Sequence, residues 1–134
     1  NTTNQGAATF VDLGTGRSPV KVTLGQLHTC VLLDNKSVYC MGDNQYSQVG
    51  DGTTVDKTTP TFVDFGNNRY AVDIEAGHLH TCALLDNGSV SCWGYNNYGQ
   101  LGLGNTTTTV SVPTYVPLPS GRQVVSLGIG KHHT

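Results

Sequence analysis

The sequence has little charge and no long apolar run. Asp, Glu, Lys and Arg make up 12% of its 134 residues, and the net charge is −2. Glu75 is the single glutamate. This balance leaves no basic patch to attract nucleic acid or an acidic membrane surface. No apolar stretch approaches the roughly 18 residues that a membrane-spanning helix needs. We therefore expect no nucleic-acid partner and no membrane insertion.

The sequence also lacks a sustained 3.6-residue apolar period and the motifs of common catalytic sites. Neither a G-x-S-x-G nucleophile elbow nor a G-x-x-x-x-G-K-[ST] phosphate loop is present. Gly, Thr, Asn and Ser are abundant instead, which is typical of short strands joined by tight turns. We predict an all-β chain that is not an enzyme and holds no cofactor. An initiator Met and a signal peptide are absent too, so we expect a processed mature form or a piece of a longer chain.

What the sequence does contain is a repeat. Residues 25–52 read GQLHTCVLLDNKSVYCMGDNQYSQVGDG, and residues 77–104 read GHLHTCALLDNGSVSCWGYNNYGQLGLG. Eighteen of these 28 positions are identical at an offset of 52, and a third copy opens at residue 130 as GKHHT. A period of this length predicts units that bury their apolar faces only against their neighbours, as in a propeller or an open repeat array.

The period divides the chain into about two and a half units. We assign residues 1–24 to the last strands of a partial unit, 25–76 to repeat 1, 77–129 to repeat 2 and 130–134 to the start of repeat 3. Each unit offers four short strands of an antiparallel blade; in the second copy they are 62–65, 72–76, 81–85 and 89–93. A third strand of the 72–76 series is expected around 124–128.

A long polar segment follows each hairpin, at residues 43–60 and again from residue 96 onward. It is rich in turn-forming residues, so we expect it to run over the surface. Tyr46 or Tyr98 is expected to point inward from it.

The four cysteines all belong to the repeat, at Cys30, Cys40, Cys82 and Cys92. Residues 85–89 predict a three-residue hairpin loop with Gly88 in the left-handed conformation. That loop sets Cys82 opposite Cys92, and the same register sets Cys30 opposite Cys40. We expect two disulfides formed in an oxidising compartment. Reduced, buried cysteines are the alternative, and zinc is a weaker one because no C-x-x-C knuckle is present.

The full pattern, G-x-x-H-T-C-x-L-L-D-N-G-S-V-x-C-W-G-x-N-x-Y-G-Q-L-G-x-G, resembles the repeat of the regulator of chromosome condensation family. The positions in register are His80, Leu84, Gly94, Asn96, Gly99, Gln100, Leu101 and Gly102. The resemblance implies a β-propeller, which in this family usually has seven four-stranded blades. The first copy departs from the pattern at Lys36, Met41, Ser47 and Val49. Either Lys36 takes a left-handed conformation at some cost, or its turn differs from that of the second copy. The paired hairpin cysteines are similar to those of secreted bacterial members.

The histidines that recur once per unit are His28, His80 and His133. We interpret them as structural, with each imidazole bonded to a neighbouring backbone turn; a metal site is the alternative. Arg17, Arg69 and Arg122 also recur, and we expect them to bind carbonyls between blades or carboxylates such as Asp64. The other residues that we assign to the repeat framework are Gly42, Gly94, Trp93, Tyr46 and Tyr98.

Four N-x-[ST] sequons are present, at Asn1, Asn35, Asn87 and Asn105. Asn35 and Asn87 fall in predicted tight turns, where Asn is favoured for its turn chemistry. The candidate glycosylation sites are therefore Asn1 and Asn105, together with Thr106, Thr107, Thr108 and Thr109 for O-linked sugar. An unmodified solvated loop is the alternative.

The sequence as a whole predicts a non-catalytic, extracellular or cell-surface module that binds proteins through the loops and edges of propeller blades. The alternative is a self-assembling subunit that forms a ring or filament by completing blades head to tail. In that case Val125, Leu127 and Ile129 would form an assembly edge, buried on another copy or on further repeats of a longer parent chain.

Overall fold

The computed structural model describes residues 10–134, and within that range all regular structure is β-strand. The all-β prediction is confirmed. Asn1 and the first residues of the partial unit 1–24 lie outside the described residues. The strands are β1 (Pro19–Leu24), β2 (His28–Leu33), β3 (Val38–Gly42), β4 (Lys57–Phe62), β5 (Ala71–Ala76), β6 (His80–Leu85), β7 (Val90–Tyr95) and β8 (Thr109–Tyr115). Over residues 10–134 no helix is long and apolar enough to cross a membrane.

The strands form two four-stranded antiparallel sheets, β1-β2-β3-β4 and β5-β6-β7-β8, which we call blade 1 and blade 2. Each blade takes its first strand from one sequence unit and its other three from the next, since β1 precedes residue 25 and β5 precedes residue 77. The edge strands β4 and β8 contain Pro60 and Pro113, which an edge tolerates because one side of its backbone needs no partner.

Two predicted strands are placed differently. The predicted strand 62–65 shares only Phe62 with β4, because residues 63–65 leave the sheet and carry Val63 and Phe65 into the core. The strand expected at 124–128 has no ladder in the described structure, although Val124 N donates to Gly88 O at 2.9 Å.

The hairpin cysteines lie in the predicted register. Cys30 pairs with Cys40 and Cys82 with Cys92 in the β2–β3 and β6–β7 ladders. Both pairs are disulfides with Cα atoms 4.1 Å apart, and all four residues are fully buried. The predicted disulfides are confirmed.

The blades are held together by one apolar core. Its members are Cys30, Leu32, Val38, Cys40, Val49, Val63 and Phe65 before the second blade and Ala71, Ile74, Ala83, Leu85 and Trp93 within it. Burial of a side chain such as Ile74 or Leu85 is worth about 1.5–3 kcal/mol. Neither blade buries these residues alone, so each blade depends on its neighbour.

The far side of blade 2 is covered only in part. Cys82, Leu84, Val90, Cys92 and Leu101 form a second apolar cluster, which we call the outer face of blade 2. Leu127 and Ile129 of the expected assembly edge pack against this face, half-buried. Val125 does not: it is 92% exposed.

The two hairpin turns offer a matched test of backbone strain. Lys36 has φ +71° and Gly88 has φ +77°, so the first copy holds a lysine in the left-handed conformation, the first of the two alternatives that its sequence left open. That conformation costs a non-glycine residue about 1–2 kcal/mol. A Cβ on Gly88 would also lie 2.7 Å from Gln123 Cβ.

We predict that Lys36→Gly leaves the free energy of unfolding unchanged or raises it by up to about 1 kcal/mol, because released strain outweighs the added freedom of the unfolded chain. Gly88→Ala should lower it by about 1–3 kcal/mol. Urea unfolding followed by Trp93 fluorescence measures both. Equal effects of the two substitutions would show that strain at these turns is unimportant.

Candidate functional site

The connections between strands divide between two ends of the blades. The β1–β2 and β3–β4 connections and their equivalents lie at one end, because His28 pairs with Gly42 and His80 with Gly94. We call this the loop end. The tight turns at 34–37 and 86–89 lie at the other, which we call the hairpin end. Most of the candidate residues are at the loop end.

The long polar segment at the loop end is partly buried, which corrects the expectation of a surface loop. Asn44 is fully buried and its Oδ1 accepts from Val49 N at 2.9 Å, while its Nδ2 donates to Thr53 O at 3.0 Å and Val55 O at 3.1 Å. A single amide side chain thus replaces the backbone partners that the loop lacks.

The second copy is built in the same way. Asn96 Oδ1 accepts from Leu101 N at 3.1 Å, and its Nδ2 donates to Asn105 O at 3.1 Å. Gln48 and Gln100 are buried four residues after each Asn and accept from the backbone N–H groups of Tyr46 and Tyr98. The recurring N-x-x-x-Q spacing was the sequence signal for these residues, and reading the segment as surface missed it.

An ion pair closes the first of these loops. Lys57 Nζ lies 2.6 Å from Asp51 Oδ2. Burial alone would raise the pKa of Asp51, but hydrogen bonds from Lys57, Thr53 and Asn44 outweigh it and lower the pKa to about 2. The carboxylate is therefore engaged within the protein.

The recurring histidines connect consecutive repeats. His28 Nε2 lies 2.9 Å from Thr81 Oγ1, and Thr81 Oγ1 donates to Gln48 O at 3.0 Å. Because the threonine proton goes to that carbonyl, His28 Nε2–H is the donor of the first bond. The His28 ring therefore bonds to the hydroxyl of Thr81 in the next unit, and not directly to a backbone turn as we expected. That hydroxyl in turn donates to the backbone turn at Gln48.

The same arrangement recurs one unit later. His80 Nε2 lies 3.2 Å from Thr134 Oγ1, which donates to Gln100 O at 2.9 Å. His133 occupies the third position, beside Gly130. A Cβ on Gly77 would strike the His80 ring and lie 2.7 Å from Gly130 O, which explains the G-x-x-H spacing.

The two buried rings are held neutral. Burial is the main cause that lowers the pKa of His28 to about 4, with the charge of His80 a smaller one. Burial likewise lowers the pKa of His80 to about 4, with smaller effects from His132 and His133. In both rings Nδ1 is buried and meets no hydrogen-bond partner among the described residues, so a proton there would be a buried, unpaired charge.

Trp93 completes the contact between the blades. It is fully buried, its Nε1 donates to the same Gln48 carbonyl at 2.9 Å, and its ring meets Phe65 edge to face with centroids 5.9 Å apart. Gly94 follows it with φ +101°, and a Cβ there would lie 2.6 Å from Leu79 O. Gly42 has the same role in blade 1.

The arginines lie at the hairpin end, and Arg17 and Arg69 bind other carboxylates than expected. Arg69 Nη1 donates to Asp86 Oδ2 at 2.8 Å, and Arg17 Nη1 lies 3.6 Å from Asp34 Oδ1. Asp64 instead accepts from Gly66 N at 2.8 Å. Arg122 is exposed and has no ion-pair partner in residues 10–134.

The exposed feature of the loop end is a row of aromatic rings. Tyr46 contacts Tyr95 with centroids 4.9 Å apart, Tyr95 contacts Tyr98 at 6.0 Å, Tyr98 contacts His132 at 5.6 Å, and His132 contacts His78 at 5.6 Å. We call these five residues the aromatic row. Tyr98 is 70% exposed, so the expectation that it points inward is wrong, and Tyr46 is half-buried. The row runs across both blades and the start of the third unit.

The candidate glycosylation segment lies beside this row. Asn105 is exposed, and its Oδ1 accepts from Asn96 Nδ2 and from Thr107 N at 3.2 Å. Thr106, Thr107 and Thr108 are exposed, and Thr109 begins β8. Within residues 10–134 no group of three or more His, Cys, Asp or Glu residues is placed to hold a metal ion.

Neutral buried histidines make stability depend on pH. The unfolded chain takes up protons below about pH 6.5, whereas the folded protein does so only near pH 4, so stability is full above pH 6.5 and falls as the pH drops toward 4. We predict that lowering the pH from 7.5 to 5 reduces the free energy of unfolding by on the order of 1–2 kcal/mol per ring. The double variant His28→Gln/His80→Gln, which keeps a donor at each site, should lose most of this dependence. An unchanged slope would show that other groups cause it.

Trp93 can be compared with Met41, its counterpart in the first copy. Trp93→Met should lower the free energy of unfolding by about 2–4 kcal/mol, because the indole hydrogen bond and part of the core contact are lost. Urea unfolding followed by circular dichroism measures it. Tyr70→Met, at a residue 46% exposed, is the control and should change stability by less than about 0.5 kcal/mol. Comparable losses in both variants would contradict the role given to Trp93.

The chain is similar to known proteins over most of its length. The chain is 32% identical over 119 residues to the Ultraviolet-B receptor UVR8 of Arabidopsis thaliana, which covers 89% of this chain and 27% of that protein. It is 32% identical over 124 residues to the E3 ubiquitin-protein ligase HERC2 of Homo sapiens, covering 92% of this chain and 2% of the ligase. The chain therefore spans at most about a quarter of these relatives.

A solved structure agrees. The structure of Kap60 bound to yeast RCC1 (Prp20) matches with a TM-score of 0.74 and 26% identity, over 90% of this chain and 27% of that one. The model of the Regulator of chromosome condensation (RCC1) repeat matches residues 36–84 and 87–134, and a second model of that repeat matches residues 20–48 and 71–100. The chain belongs to the RCC1 repeat family, and its two sheets are blades of the RCC1 type of β-propeller.

Proposed function

We propose that this chain is a non-catalytic protein-binding module and that it binds its partner through the aromatic row at the loop end. The observation that supports this proposal is that Tyr98 and His132 are both exposed and contact each other, while the other three rings of the row are half-buried. Tyrosine and other aromatic residues are enriched at protein interfaces because they bury a large area with few rotatable bonds.

Several recurring polar side chains of the repeat form hydrogen bonds within the protein. His28, Thr81 and Gln48 bond one another, and Asn44 and Asn96 each hold a loop. Such a framework presents loops without supplying a reactive group of its own. HERC2 is an E3 ubiquitin ligase, but this chain covers 2% of it, so ligase activity is not proposed here.

We place the module outside the cell or on its surface. The support is the pair of hairpin disulfides, because such bonds persist in oxidising compartments and are rare in the cytosol. The likeness of the paired cysteines to those of secreted bacterial members points the same way. The exposed Asn105 would be open to a glycosyltransferase in such a compartment.

Head-to-tail self-assembly is less well supported. Residues 130–134 already lie in the position of the G-x-x-H-T segment against blade 2, with Gly130 N donating to His133 O as Gly77 N does to His80 O. Residues 25–29 of a second copy would need that same position. Assembly would therefore require the tail to leave blade 2.

The binding proposal is tested by two matched tyrosine variants. Once a partner has been identified by crosslinking from the native source, Tyr98→Ala should weaken its binding at least tenfold, a loss of about 1.4 kcal/mol or more. Tyr70→Ala, at the opposite end of the blades, should leave affinity unchanged, as measured by calorimetry. Loss of binding with Tyr70→Ala alone would place the interface at the hairpin end and contradict the proposal.

The extracellular proposal is tested by the thiols. We predict that protein taken from its native source without reductant contains no alkylatable cysteine, and that peptide mapping recovers Cys30 with Cys40 and Cys82 with Cys92. Reduction should then lower the free energy of unfolding by about 2–3 kcal/mol per bond. Four free thiols in the native protein would move it to a reducing compartment.

A further inference from the structure

A cleft opens on the rim of the molecule, between the last strands of the two blades. The blades approach each other at β1, β2 and β5 and diverge toward β4 and β8. The space between them there has a volume of about 390 Å³. Phe62 and Asp64 form its wall on blade 1, and Val112 and Pro113 form its wall on blade 2. We call it the rim cleft. Both blades that form it lie within the described residues.

The floor of the rim cleft is fixed by the core between the blades. Phe65 is buried and meets Trp93 edge to face, with ring centroids 5.9 Å apart. Gly50 lies against the same indole, since a Cβ on it would be 2.6 Å from Trp93 Nε1. Gly52 N donates to Ser111 O at 2.9 Å and ties the loop after β3 to β8. The cleft is therefore shaped in advance, which lowers the cost of binding.

The charges in the wall of the rim cleft are both negative. They are the carboxylates of Asp51 and Asp64. Lys57 neutralises Asp51, whereas Asp64 is exposed and forms no ion pair within residues 10–134. Lys36 and Arg69 lie on the other side of Asp64, in the wall of a separate cavity of about 100 Å³. The rim cleft thus combines an apolar wall with a carboxylate that can bind a cation.

The aromatic ring and the carboxylate are specific to this cleft and not required to build a blade. In the second copy, Thr114 and Val116 stand 52 residues after Phe62 and Asp64. Blade 2 nevertheless has the same four strands in the same order as blade 1. The pair at 62 and 64 is therefore available for a contact with another molecule.

We propose that the rim cleft is a binding site for an arginine side chain on an exposed segment of a partner protein. A guanidinium stacks on an aromatic ring and pairs with a carboxylate, while the apolar stem of the arginine packs on apolar side chains. Phe62, which is 53% exposed, supplies the ring, and Asp64 supplies the carboxylate. Val112, which is 48% exposed, supplies the apolar surface. Lysine fits less well, because its compact ammonium group does not stack.

The rim cleft shares no residue with the aromatic row. The proposal therefore does not depend on the function proposed above.

The probe is N-acetyl-argininamide, titrated into the 134-residue protein and followed by the methyl resonances of Val112. We expect a saturable shift at millimolar concentration. N-acetyl-citrullinamide has nearly the same shape without the charge and should bind about threefold or more weakly. N-acetyl-lysinamide keeps the charge without the planar group and should also bind more weakly.

Two variants separate the charge of the rim cleft from its ring. Asp64→Asn removes the charge but keeps a side-chain oxygen for the turn, where Asp64 Oδ1 accepts from Gly66 N at 2.8 Å. Phe62→Thr installs the residue that the second copy carries at the same position. Each should weaken binding of N-acetyl-argininamide about threefold or more. Emission from the buried Trp93 checks that both variants fold.

The matched control is Asp12→Asn. Asp12 is exposed and its Oδ1 accepts from Gly14 N at 2.9 Å, so the substitution changes the same kind of turn outside the rim cleft. It should leave the titration of Val112 unchanged.

Equal binding of the arginine and citrulline derivatives would overturn the proposal, and equal binding of the arginine and lysine derivatives would overturn the assignment to arginine. Unchanged binding in Asp64→Asn, or an equal loss in Asp12→Asn, would also overturn it. So would a dimer in light scattering that Asp64→Asn dissociates, because the occupant would then be a second copy, whose Arg122 is exposed.

Discussion

The structure depends on one backbone carbonyl, that of Gln48, which accepts hydrogen bonds from two side chains of the next repeat. Thr81 and Trp93 both donate to it, and His28 in turn donates to Thr81. Because the donors belong to blade 2 and the acceptor to blade 1, neither blade satisfies these groups alone. The surrounding core spans both blades for the same reason. A bond of this kind, buried among apolar side chains, costs most when only one partner is removed.

Local features of the fold follow from the sequence because short-range geometry determines them. The length of the turn at Gly88 fixes the hairpin register, and the register brings Cys82 and Cys92 together. Lys36 had to be left-handed once its turn was equated with that of Gly88. The partner of His28 was beyond such reasoning, since Thr81 lies 53 residues away and the contact depends on how two blades pack. Tyr98 was misplaced because polar composition alone did not show that Asn96 and Gln100 would occupy the interior of its loop.

The same division separates framework from function. Residues that recur in every unit, such as His80 and Gly94, meet the chain's own backbone or its neighbouring repeat. Residues that differ between units, such as His78 and His132, lie at the surface of the loop end, in the same row as the recurring Tyr98. A repeat fold can therefore keep its internal contacts constant while the loops take on different partners.

The most direct measurement is a double-mutant cycle between His28 and Thr81. The free energy of unfolding is measured in urea at pH 7.5 for the parent chain, His28→Ala, Thr81→Val and the combined variant, with Trp93 emission as the reporter of the blade contact. If the histidine acts through the threonine, the two substitutions are coupled by about 1–2 kcal/mol, and the double variant loses less than the sum of the single losses. Additive losses, with coupling within about 0.3 kcal/mol of zero, would contradict the account.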